Sequence, residues 1–398
     1  MLCFNIKNLP KNTYYIVIKN KEAVNMQYGL VLAGGGVRGA YQIGVWQALR
    51  EMGIEVSSVV GTSIGAINGA LFVQGEYEKA AELWKKISID KVIDLPPAMK
   101  FGNNPFGIRN LSGTILEMYK NGGLDISPLE NLLRSLINEE KIRLSTVDFG
   151  IAAFSLTDKK EIYKFKADIP MGEIVDYIMA SVSLIGFKVR TINANKFIDG
   201  GMSNNMPVNM LLERGINNII TVDVRGIGFY RNFNLAGKNV ISIRSENPQT
   251  GMMEFDTKGI QKSIEEGYIG CMRAFGKVEG ELYSFWSVSY RRARTMYSDE
   301  IISGIEKAAK IFDIDIIRIY TFEELTSLVL DEYYRYSVNN KINNISFAGV
   351  KKESDNVFLT WLVHSLECGK SDFISKKMAV FGEKFDAASA ILYFKNQN

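Results

Sequence analysis

Three short segments of the sequence place residues capable of nucleophilic chemistry beside glycines. The pentapeptide Gly61-Thr62-Ser63-Ile64-Gly65 lies between two apolar runs. This spacing is typical of a serine held exposed at a sharp strand-to-helix turn. The run Gly34-Gly35-Gly36-Val37-Arg38-Gly39 precedes it, and Asp199-Gly200-Gly201 follows much later. Serine is also a favoured helix N-cap, so the pentapeptide alone is consistent with a purely structural turn.

The glycine run at residues 34–39 matches the pattern G-x-G-x-x-G, which suggests a dinucleotide site. Such a site needs an acidic residue at the end of the second strand, about 20 positions later. That position holds the Ser63 pentapeptide instead, which disfavours nucleotide binding but leaves it as an alternative. Beside a nucleophilic serine, a glycine loop predicts an oxyanion hole, in which one donor contributes roughly 2.7–4 kcal/mol.

The base that would activate Ser63 is either Asp199 or the single histidine, His364. Asp-Gly by itself is usually a turn. The order Ser63, Asp199, His364 matches that of α/β-hydrolases, but here the serine follows only the second predicted strand. His364 lies in the apolar stretch 359–366, which is typical of a packing residue. A Ser–Asp dyad is therefore predicted, with a Ser-Asp-His triad as the alternative.

The elements around these segments alternate between strand and helix. Strands are predicted at 28–33 and 56–60, and helices at 40–52 and 64–73. Further strands are predicted at 13–18, 149–155, 162–165, 194–198, 218–224 and 240–243. This order predicts an α/β fold with a mainly parallel sheet. Both glycine loops then lie at carboxyl ends of neighbouring strands, where ligands of such sheets bind.

Two other regions carry predictions of their own. The stretch 94–123 is rich in proline and glycine, which predicts either a functional lid or an irregular crossover. Residues 251–398 hold half of the aromatic residues and are expected to pack, with a strand at 314–320 and a helix beginning at Thr321. Phe285, Trp286 and Tyr290 lie near three arginines. This cluster suggests either a membrane-boundary surface or a half-buried helix with a basic face.

Composition excludes several classes of protein. The 398 residues carry 47 Lys+Arg and 44 Asp+Glu without blocks of like charge, so no nucleic-acid partner is expected. Three widely spaced cysteines disfavour a disulfide framework, and one histidine excludes a His-rich metal site. No secretory signal and no run of about 18 apolar residues is found. A cytoplasmic location, peripheral to a membrane, is expected.

From about Gln27 to Arg244, the sequence resembles the patatin-like phospholipase family of bacterial type. The resemblance rests on the three glycine motifs, whose order and joint presence are specific. It implies a three-layer α/β/α fold with Ser63 as nucleophile and Asp199 as its base. Gly34, Gly35, Gly36 and Arg38 belong to the implied oxyanion loop, supported by the motif glycines Gly39, Gly61, Gly65, Gly200 and Gly201. One departure is Ile185, where the family usually has proline.

The resemblance implies a lipid acyl hydrolase of the phospholipase A or lysophospholipase type. It implies no metal and no organic cofactor, with a phospholipid or other acyl-ester lipid as partner and transient contact with a membrane surface. A non-catalytic membrane adaptor stays an alternative. The predicted organisation is an N-terminal extension (1–26), a catalytic domain (27–250) and a C-terminal region (251–398). This last region, of unknown role, is a mixed α/β or helical extension.

Overall fold

The computed structural model describes residues 27–95, 122–339, 342, 347–369 and 378–397. The predicted strand at 13–18 and most of the predicted lid at 94–123 lie outside these residues. The first half of the described chain alternates strands and helices. Its elements are β1 (Tyr28–Leu32), α1 (Ala40–Glu51), β2 (Val56–Thr62), α2 (Ile64–Val73), α3 (Tyr77–Lys86), α4 (Ser127–Leu136), α5 (Glu139–Leu144), β3 (Asp148–Ser155), β4 (Lys160–Phe165) and α6 (Ile174–Val182).

The chain continues into the edge strands and then a mainly helical region. These elements are β5 (Arg190–Ile192), β6 (Asn195–Asp199), α7 (Val208–Glu213), β7 (Asn218–Asp223), β8 (Asn239–Arg244), α8 (Thr257–Ala274), β9 (Val278–Glu279), β10 (Ser284–Trp286), α9 (Ser287–Met296), α10 (Asp299–Ile311), β11 (Ile319–Tyr320), α11 (Phe322–Asn339), α12 (Phe347–Val350), α13 (Asp355–Glu367) and α14 (Met378–Lys395).

The main sheet has eight strands, paired along the path β5-β6-β3-β2-β1-β7-β8, with β4 also paired to β3. Strands β2 and β6 pair with consecutive parts of one edge of β3, and β4 pairs with its other edge. Its centre, from β3 to β8, is parallel, whereas β4, β5 and β6 pair in the antiparallel sense. The predicted mainly parallel α/β sheet is thus confirmed. Parallel pairing brings the carboxyl ends of β1 and β2 to one edge of the sheet.

Alternate residues of the central strands face two different layers. Leu30 and Leu32 join a large core with α1, α2, α6 and α8. Val31, between them, packs with residues of the short helix α7 on the opposite face. This period of two is the side-chain alternation expected of a strand buried on both faces. Helices therefore cover both faces, as a three-layer α/β/α fold requires.

The large core extends past residue 250, where the sequence analysis places the domain boundary. Ile260, Ile264, Cys271 and Met272 of α8 belong to it. Gly44 of α1 and Gly267 of α8 allow this packing: a Cβ on Gly44 would lie 1.8 Å from the Ile264 carbonyl oxygen, and one on Gly267 would lie 2.0 Å from the Tyr41 carbonyl oxygen. Helix α8 is thus part of the first layer of helices.

A second core follows, formed by α9 to α14 with the small sheet β9–β11. It is mixed α/β and mainly helical. The predicted strand at 314–320 shortens to Ile319–Tyr320, because the chain bends at residues 316–318. The predicted helix start at Thr321 is confirmed, since its hydroxyl accepts a hydrogen bond from the Glu324 amide at 3.1 Å.

Candidate active site

Ser63 lies at the junction of β2 and α2 in a backbone conformation that L-residues rarely adopt, with φ 55° and ψ −124°. Close packing around it leaves no room for side chains on the flanking glycines. A Cβ on Gly61 would lie 2.3 Å from the Gly65 carbonyl, and one on Gly65 would lie 2.1 Å from the Leu32 oxygen. Such strain persists only where the surroundings impose it, and it is common at functional sites.

A second serine holds the backbone of this turn. The Ser63 amide donates to Ser181 Oγ at 2.8 Å, and the Ser181 hydroxyl donates to the Ala152 carbonyl at 2.6 Å. Ser181 therefore links the turn to strand β3. It lies four residues before Ile185, the departure from the family pattern, but no spacing rule identifies its hydroxyl as the anchor.

The register of β3 brings Asp199 close to Ser63. The last residue of β2, Thr62, pairs with Ala152, and the last residue of β6, Asp199, pairs with the next residue, Ala153. Strand β4 occupies the opposite side of β3 along both pairings. Strands β2 and β6 therefore lie on the same side of β3, run in opposite directions, and end against each other.

The Asp199 loop is fixed by hydrogen bonds on both sides of the carboxylate. The Asp199 amide donates to the Ser183 carbonyl at 2.9 Å, and Oδ1 accepts from the Gly201 amide at 2.6 Å. Gly200 allows close packing, because a Cβ there would lie 2.4 Å from the Ala152 oxygen. Oδ2 is buried and has no hydrogen-bond partner in the described chain. One carboxylate oxygen is thus held and the other is available.

Burial controls the acidity of this carboxyl group, which is only 2% exposed. Loss of hydration raises the pKa of Asp199 to about 6, while the nearby Ser63 hydroxyl and the Gly201 amide act in the opposite direction. The Ser63 side chain thus favours the carboxylate form, although no hydrogen bond within 3.5 Å joins the two groups. Such contacts commonly shorten when substrate binds.

The glycine-rich loop lies directly against Ser63. A Cβ on Gly34 would be 3.2 Å from Ser63 Cβ. The Gly34 amide already donates to the Asn205 carbonyl at 3.2 Å, and the Val37 amide donates to the Met252 carbonyl at 2.8 Å. Among the described residues, no acceptor is found for the amides of Gly35 and Gly36. These two amides are therefore the free donors of the predicted oxyanion loop.

The backbone conformation of Gly36 and the side chain of Arg38 fix the position of the glycine-rich loop. Gly36 has φ 57°, and a Cβ there would lie 2.2 Å from the Met252 oxygen, so only glycine fits. The guanidinium of Arg38 donates to the carbonyls of Thr250 and Arg225, at 3.0 and 2.6 Å. Arg38 therefore holds the loop against the segments that follow β7 and β8.

Asn205, which the sequence analysis missed, joins the glycine loop to the segment that follows Asp199. Its Nδ2 donates to the Gly34 carbonyl at 3.1 Å and to the Tyr230 hydroxyl at 2.9 Å. Its own carbonyl accepts from Gly34, as described above. Asn205 is buried, so these bonds form away from water. No motif marks it, because its role depends on contacts between segments about 170 residues apart.

A second buried polar group supports the other end of the loop. Asn68 Nδ2 donates to the Gly39 carbonyl at 3.0 Å and to Gln42 Oε1 at 2.8 Å, and Asn68 Oδ1 accepts from Trp84 Nε1 at 3.0 Å. Gln42 Nε2 in turn donates to the Ala33 carbonyl at 2.7 Å. Side chains of α1, α2 and α3 therefore fix both ends of the loop.

An apolar cavity of about 90 Å³ opens beside Ser63. Apart from Ser63 and the Gly36 backbone, the side chains that line it are apolar. They include Ile67, Leu83, Trp84, Leu133, Phe187 and Met252. The described part of the chain contains no group of three side chains arranged to hold a metal ion. The chemistry available here is that of a serine, a carboxyl group and backbone amides beside an apolar space.

The structure places His364 in another region of the molecule. It lies on α13 in the second core, where its Nε2 is 3.5 Å from Cys368 Sγ and its Nδ1 is 3.9 Å from Glu367 Oε2. The described structure contains no contact between His364 and Ser63 or Asp199. His364 is therefore not assembled with the other two residues into a triad.

The cluster of Phe285, Trp286 and Tyr290 differs from the membrane-boundary surface that the sequence suggests as one alternative. Phe285 is fully buried and stacks on Tyr290, with ring centroids 5.3 Å apart, while Trp286 is 40% exposed. Two of the three aromatic residues thus belong to the second core. The alternative, a half-buried helix with a basic face, describes α9. No described helix is long and apolar enough to span a bilayer.

Comparison with known proteins finds similar sequences for the first half of the chain. Residues 30–212 match the family model described as patatin-like phospholipase. The rat patatin-like phospholipase domain-containing protein 7 is 28% identical over 202 residues, which are 49% of this chain and 13% of that protein. The Drosophila melanogaster neuropathy target esterase sws is 27% identical over 272 residues, or 64% and 17%. The match thus spans less than a fifth of either relative.

Two solved structures are similar over most of the chain. VipD from Legionella pneumophila aligns with a TM-score of 0.41 and 14% identity, covering 92% of this chain and 89% of that one. The type III effector ExoU aligns with a TM-score of 0.38 and 14% identity, covering 92% and 76%.

Proposed function

Because residues 30–212 carry a patatin-like phospholipase domain, we propose that this protein is a lipid acyl hydrolase with a Ser63–Asp199 dyad. Its substrates are phospholipids or other acyl-ester lipids, cleaved in the manner of a phospholipase A or a lysophospholipase. The observation that carries the proposal is the register of β3. Neighbouring residues, Ala152 and Ala153, pair with the last residues of β2 and β6, which brings Ser63 beside Asp199.

The proposed reaction begins with attack of Ser63 Oγ on the ester carbonyl carbon. The hydroxyl proton passes to Asp199 Oδ2, the oxygen that has no other partner. Oδ1 stays bonded to the Gly201 amide, so the carboxylate keeps its orientation. The negative charge that develops on the carbonyl oxygen is stabilised by the free amides of Gly35 and Gly36. Gly34 and Arg38 hold the loop rather than touching the oxyanion.

Collapse of the tetrahedral intermediate breaks the ester bond and leaves the acyl group on Ser63. The leaving alcohol takes the proton from Asp199, which is restored as a carboxylate. A water molecule then gives a proton to Asp199 and attacks the acyl carbon. Asp199 passes this proton to Ser63 Oγ as the acyl–serine bond breaks, which releases the fatty acid and restores Ser63 and the carboxylate. Because burial raises the pKa of Asp199 to about 6, this carboxylate is a stronger base than an exposed aspartate.

The cavity supports an apolar acyl group as the part of the substrate bound next to Ser63. Its lining of aliphatic and aromatic side chains suits a hydrocarbon chain. A phosphate group would need polar partners there, which disfavours the nucleotide-binding alternative. We place the activity at the surface of a membrane on the cytoplasmic side.

Two measurements on purified protein test the proposal. A fluorophosphonate probe is expected to label Ser63 alone, as located by peptide mapping, because among the described residues this hydroxyl alone combines an adjacent base with free amide donors. Mass spectrometry of products from phosphatidylcholine and lysophosphatidylcholine is expected to show release of free fatty acid. Label at another residue, or intact lipids after incubation with folded protein, would contradict the proposal.

Ser183 provides the matched control for the labelling experiment. It is a buried serine whose carbonyl accepts from the Asp199 amide, but its hydroxyl donates to the Met179 carbonyl at 2.7 Å. Ser183→Ala is therefore expected to label like the parent protein, whereas Ser63→Ala is expected to lose the label completely. Equal labelling of both variants would assign the reaction to a different nucleophile.

A further inference from the structure

The segment 226–231 joins the catalytic loops through its backbone. The Phe229 amide donates to the Gly201 carbonyl at 2.8 Å, and the Phe229 carbonyl accepts from the Asn205 amide at 2.7 Å. Gly226 packs on the glycine loop so closely that a Cβ there would lie 1.9 Å from the Gly34 oxygen. The position of this segment is therefore fixed relative to Ser63 and Asp199.

The side chains of the same segment are exposed and apolar. Ile227 is 83% exposed and Phe229 is 65% exposed, and Met202 lines the same depression as Phe229. The Ile227 amide donates to Met252 Sδ at 3.4 Å, and Met252 lines the cavity next to Ser63. A cluster of exposed apolar side chains at a fixed place beside a site is typical of an interaction surface.

Cationic side chains surround this apolar cluster. Lys159, Lys160 and Arg231 line an open depression of about 600 Å³ together with Met202 and Phe229. Lys196 lies against the turn at residues 156–159 that contains Lys159, because the Leu156 amide donates to its carbonyl at 2.8 Å.

Two acidic residues are also present, and both are engaged. Glu161 pairs with Arg231, and Asp158 Oδ2 accepts from the Ser155 hydroxyl at 3.2 Å. Within the described structure, none of the three lysines forms an ion pair. The surface therefore carries an excess of positive charge, which is complementary to an anionic surface and not to a cationic one.

We propose that this docking surface, formed by Met202, Ile227 and Phe229 with Lys159, Lys160 and Lys196, binds anionic lipid bilayers. The apolar side chains enter the boundary between headgroups and acyl chains, and the lysines contact lipid phosphates. Because the docking surface is joined to both catalytic loops, binding orients the cavity toward the lipid. This orientation rests on the proposed function, whereas binding itself does not.

The test measures sedimentation with vesicles, using the full chain with Ser63→Ala so that lipid composition stays constant. The vesicles are phosphatidylcholine alone or phosphatidylcholine mixed with phosphatidylglycerol. Ile227→Asn with Phe229→Asn is expected to weaken binding to mixed vesicles by about a hundredfold, since burial of each of the two apolar side chains accounts for about tenfold or more. Lys159→Glu with Lys160→Glu is expected to weaken binding to mixed vesicles by about tenfold, with little change on phosphatidylcholine alone.

Matched controls come from the exposed face of α9. Val288 is 84% exposed, and Val288→Asn is expected to bind vesicles like the parent chain. Arg291→Glu with Arg292→Glu reverses the same amount of charge there and is expected to have a smaller effect than the lysine pair. Thermal melts of every variant establish that the compared chains are folded.

The outcomes separate the two proposals. Vesicle binding that depends on Ile227 and Phe229, combined with no fatty acid release by the chain that retains Ser63, would support the docking surface and overturn the proposed function. Fatty acid release with vesicle binding unchanged in the Ile227 and Phe229 variant would overturn the docking surface alone. No vesicle binding by the parent chain, equal losses in the α9 controls, or binding only to a protein partner would also overturn it.

Discussion

The two hydrophobic cores of this chain bury polar groups for different purposes. In the first core, buried Asn, Gln, Ser and Asp side chains hydrogen-bond to loops that meet at the end of the sheet. Asn68, Ser181 and Asn205 each connect segments far apart in the sequence. In the second core, Thr326 and Thr360 donate to carbonyls one turn earlier in their own helices.

The buried carboxylates of the two cores differ in the same way. Glu306 of the second core accepts hydrogen bonds from the amides of Leu282 and Tyr283. Its carboxylate therefore satisfies backbone N–H groups and takes no part in a reactive arrangement. Asp199 of the first core accepts one amide through Oδ1 and keeps Oδ2 without a partner. An unsatisfied buried oxygen costs stability, and at Asp199 it is the atom that the proposed reaction uses. The comparison teaches that the first core is built to hold loops and the second to hold helices.

The largest expected effect comes from removing the base. Asp199→Asn should lower turnover of a soluble ester by roughly 10²–10⁴-fold, because the amide keeps the bond from Gly201 but accepts no proton from Ser63. Steady-state kinetics measure the loss. Asp223→Asn, the same change in a buried carboxylate at the end of β7, should lower turnover far less. If both variants lost turnover to the same extent, the role of Asp199 would be structural, like that of Asp223.

A smaller effect is expected from loosening the glycine loop. Asn205→Ala removes the bonds to the Gly34 carbonyl and the Tyr230 hydroxyl. We expect kcat to fall by about tenfold, the equivalent of one buried hydrogen bond. KM for a soluble ester should change little, because the loop amides act mainly in the transition state.

Asn204 offers a matched control for this variant. It is equally buried, but its Nδ2 donates to Tyr163 and Asn209, away from the glycine loop. Asn204→Ala should lower the melting temperature to a similar extent and leave kcat close to that of the parent. If kcat falls equally in both variants, the role of Asn205 is one of general stability.

The sequence predicts the parts of the first core that local patterns encode. The strands, the two glycine loops, Ser63 and Asp199 follow from spacing and from the resemblance to a family. Asn205 and Ser181 do not, because their roles arise from contacts between distant segments. The boundary at residue 250 also misses the packing of α8 on α1, which depends on Gly44 and Gly267 fitting against opposite backbones. Local patterns carry no such information about close approach.

Sequence patterns also do not decide which apolar side chains are exposed. Phe285 and Tyr290 stand next to arginines in the sequence but pack into the second core, since β10 and α9 turn their apolar sides inward. No sequence pattern marks Ile227 and Phe229, although both side chains are highly exposed beside the loops of Gly34 and Gly201. Exposure is a property of the assembled chain, so the sequence left both interpretations of the arginine-flanked cluster open and did not mark Ile227 or Phe229 as exposed.

The smallest expected effect separates the dyad from the triad. His364→Gln should leave turnover of a soluble ester almost unchanged, because His364 contacts Cys368 and Glu367 in the second core. The pH profile of the parent enzyme does not make this distinction. Activity should rise with pH as Asp199 loses its proton near pH 6, and a histidine base would give a limb near its ordinary pKa of about 6.5.

The variant resolves this ambiguity. With an Asp199 base, the acid limb should persist in His364→Gln at the pH of the parent enzyme, with turnover normalised to folded protein by a thermal melt. With a histidine base, loss of His364 should cost several orders of magnitude in turnover and abolish that limb. A folded but inactive His364→Gln enzyme would mean that the second core supplies a catalytic group. The two cores would then not divide into one for chemistry and one for packing.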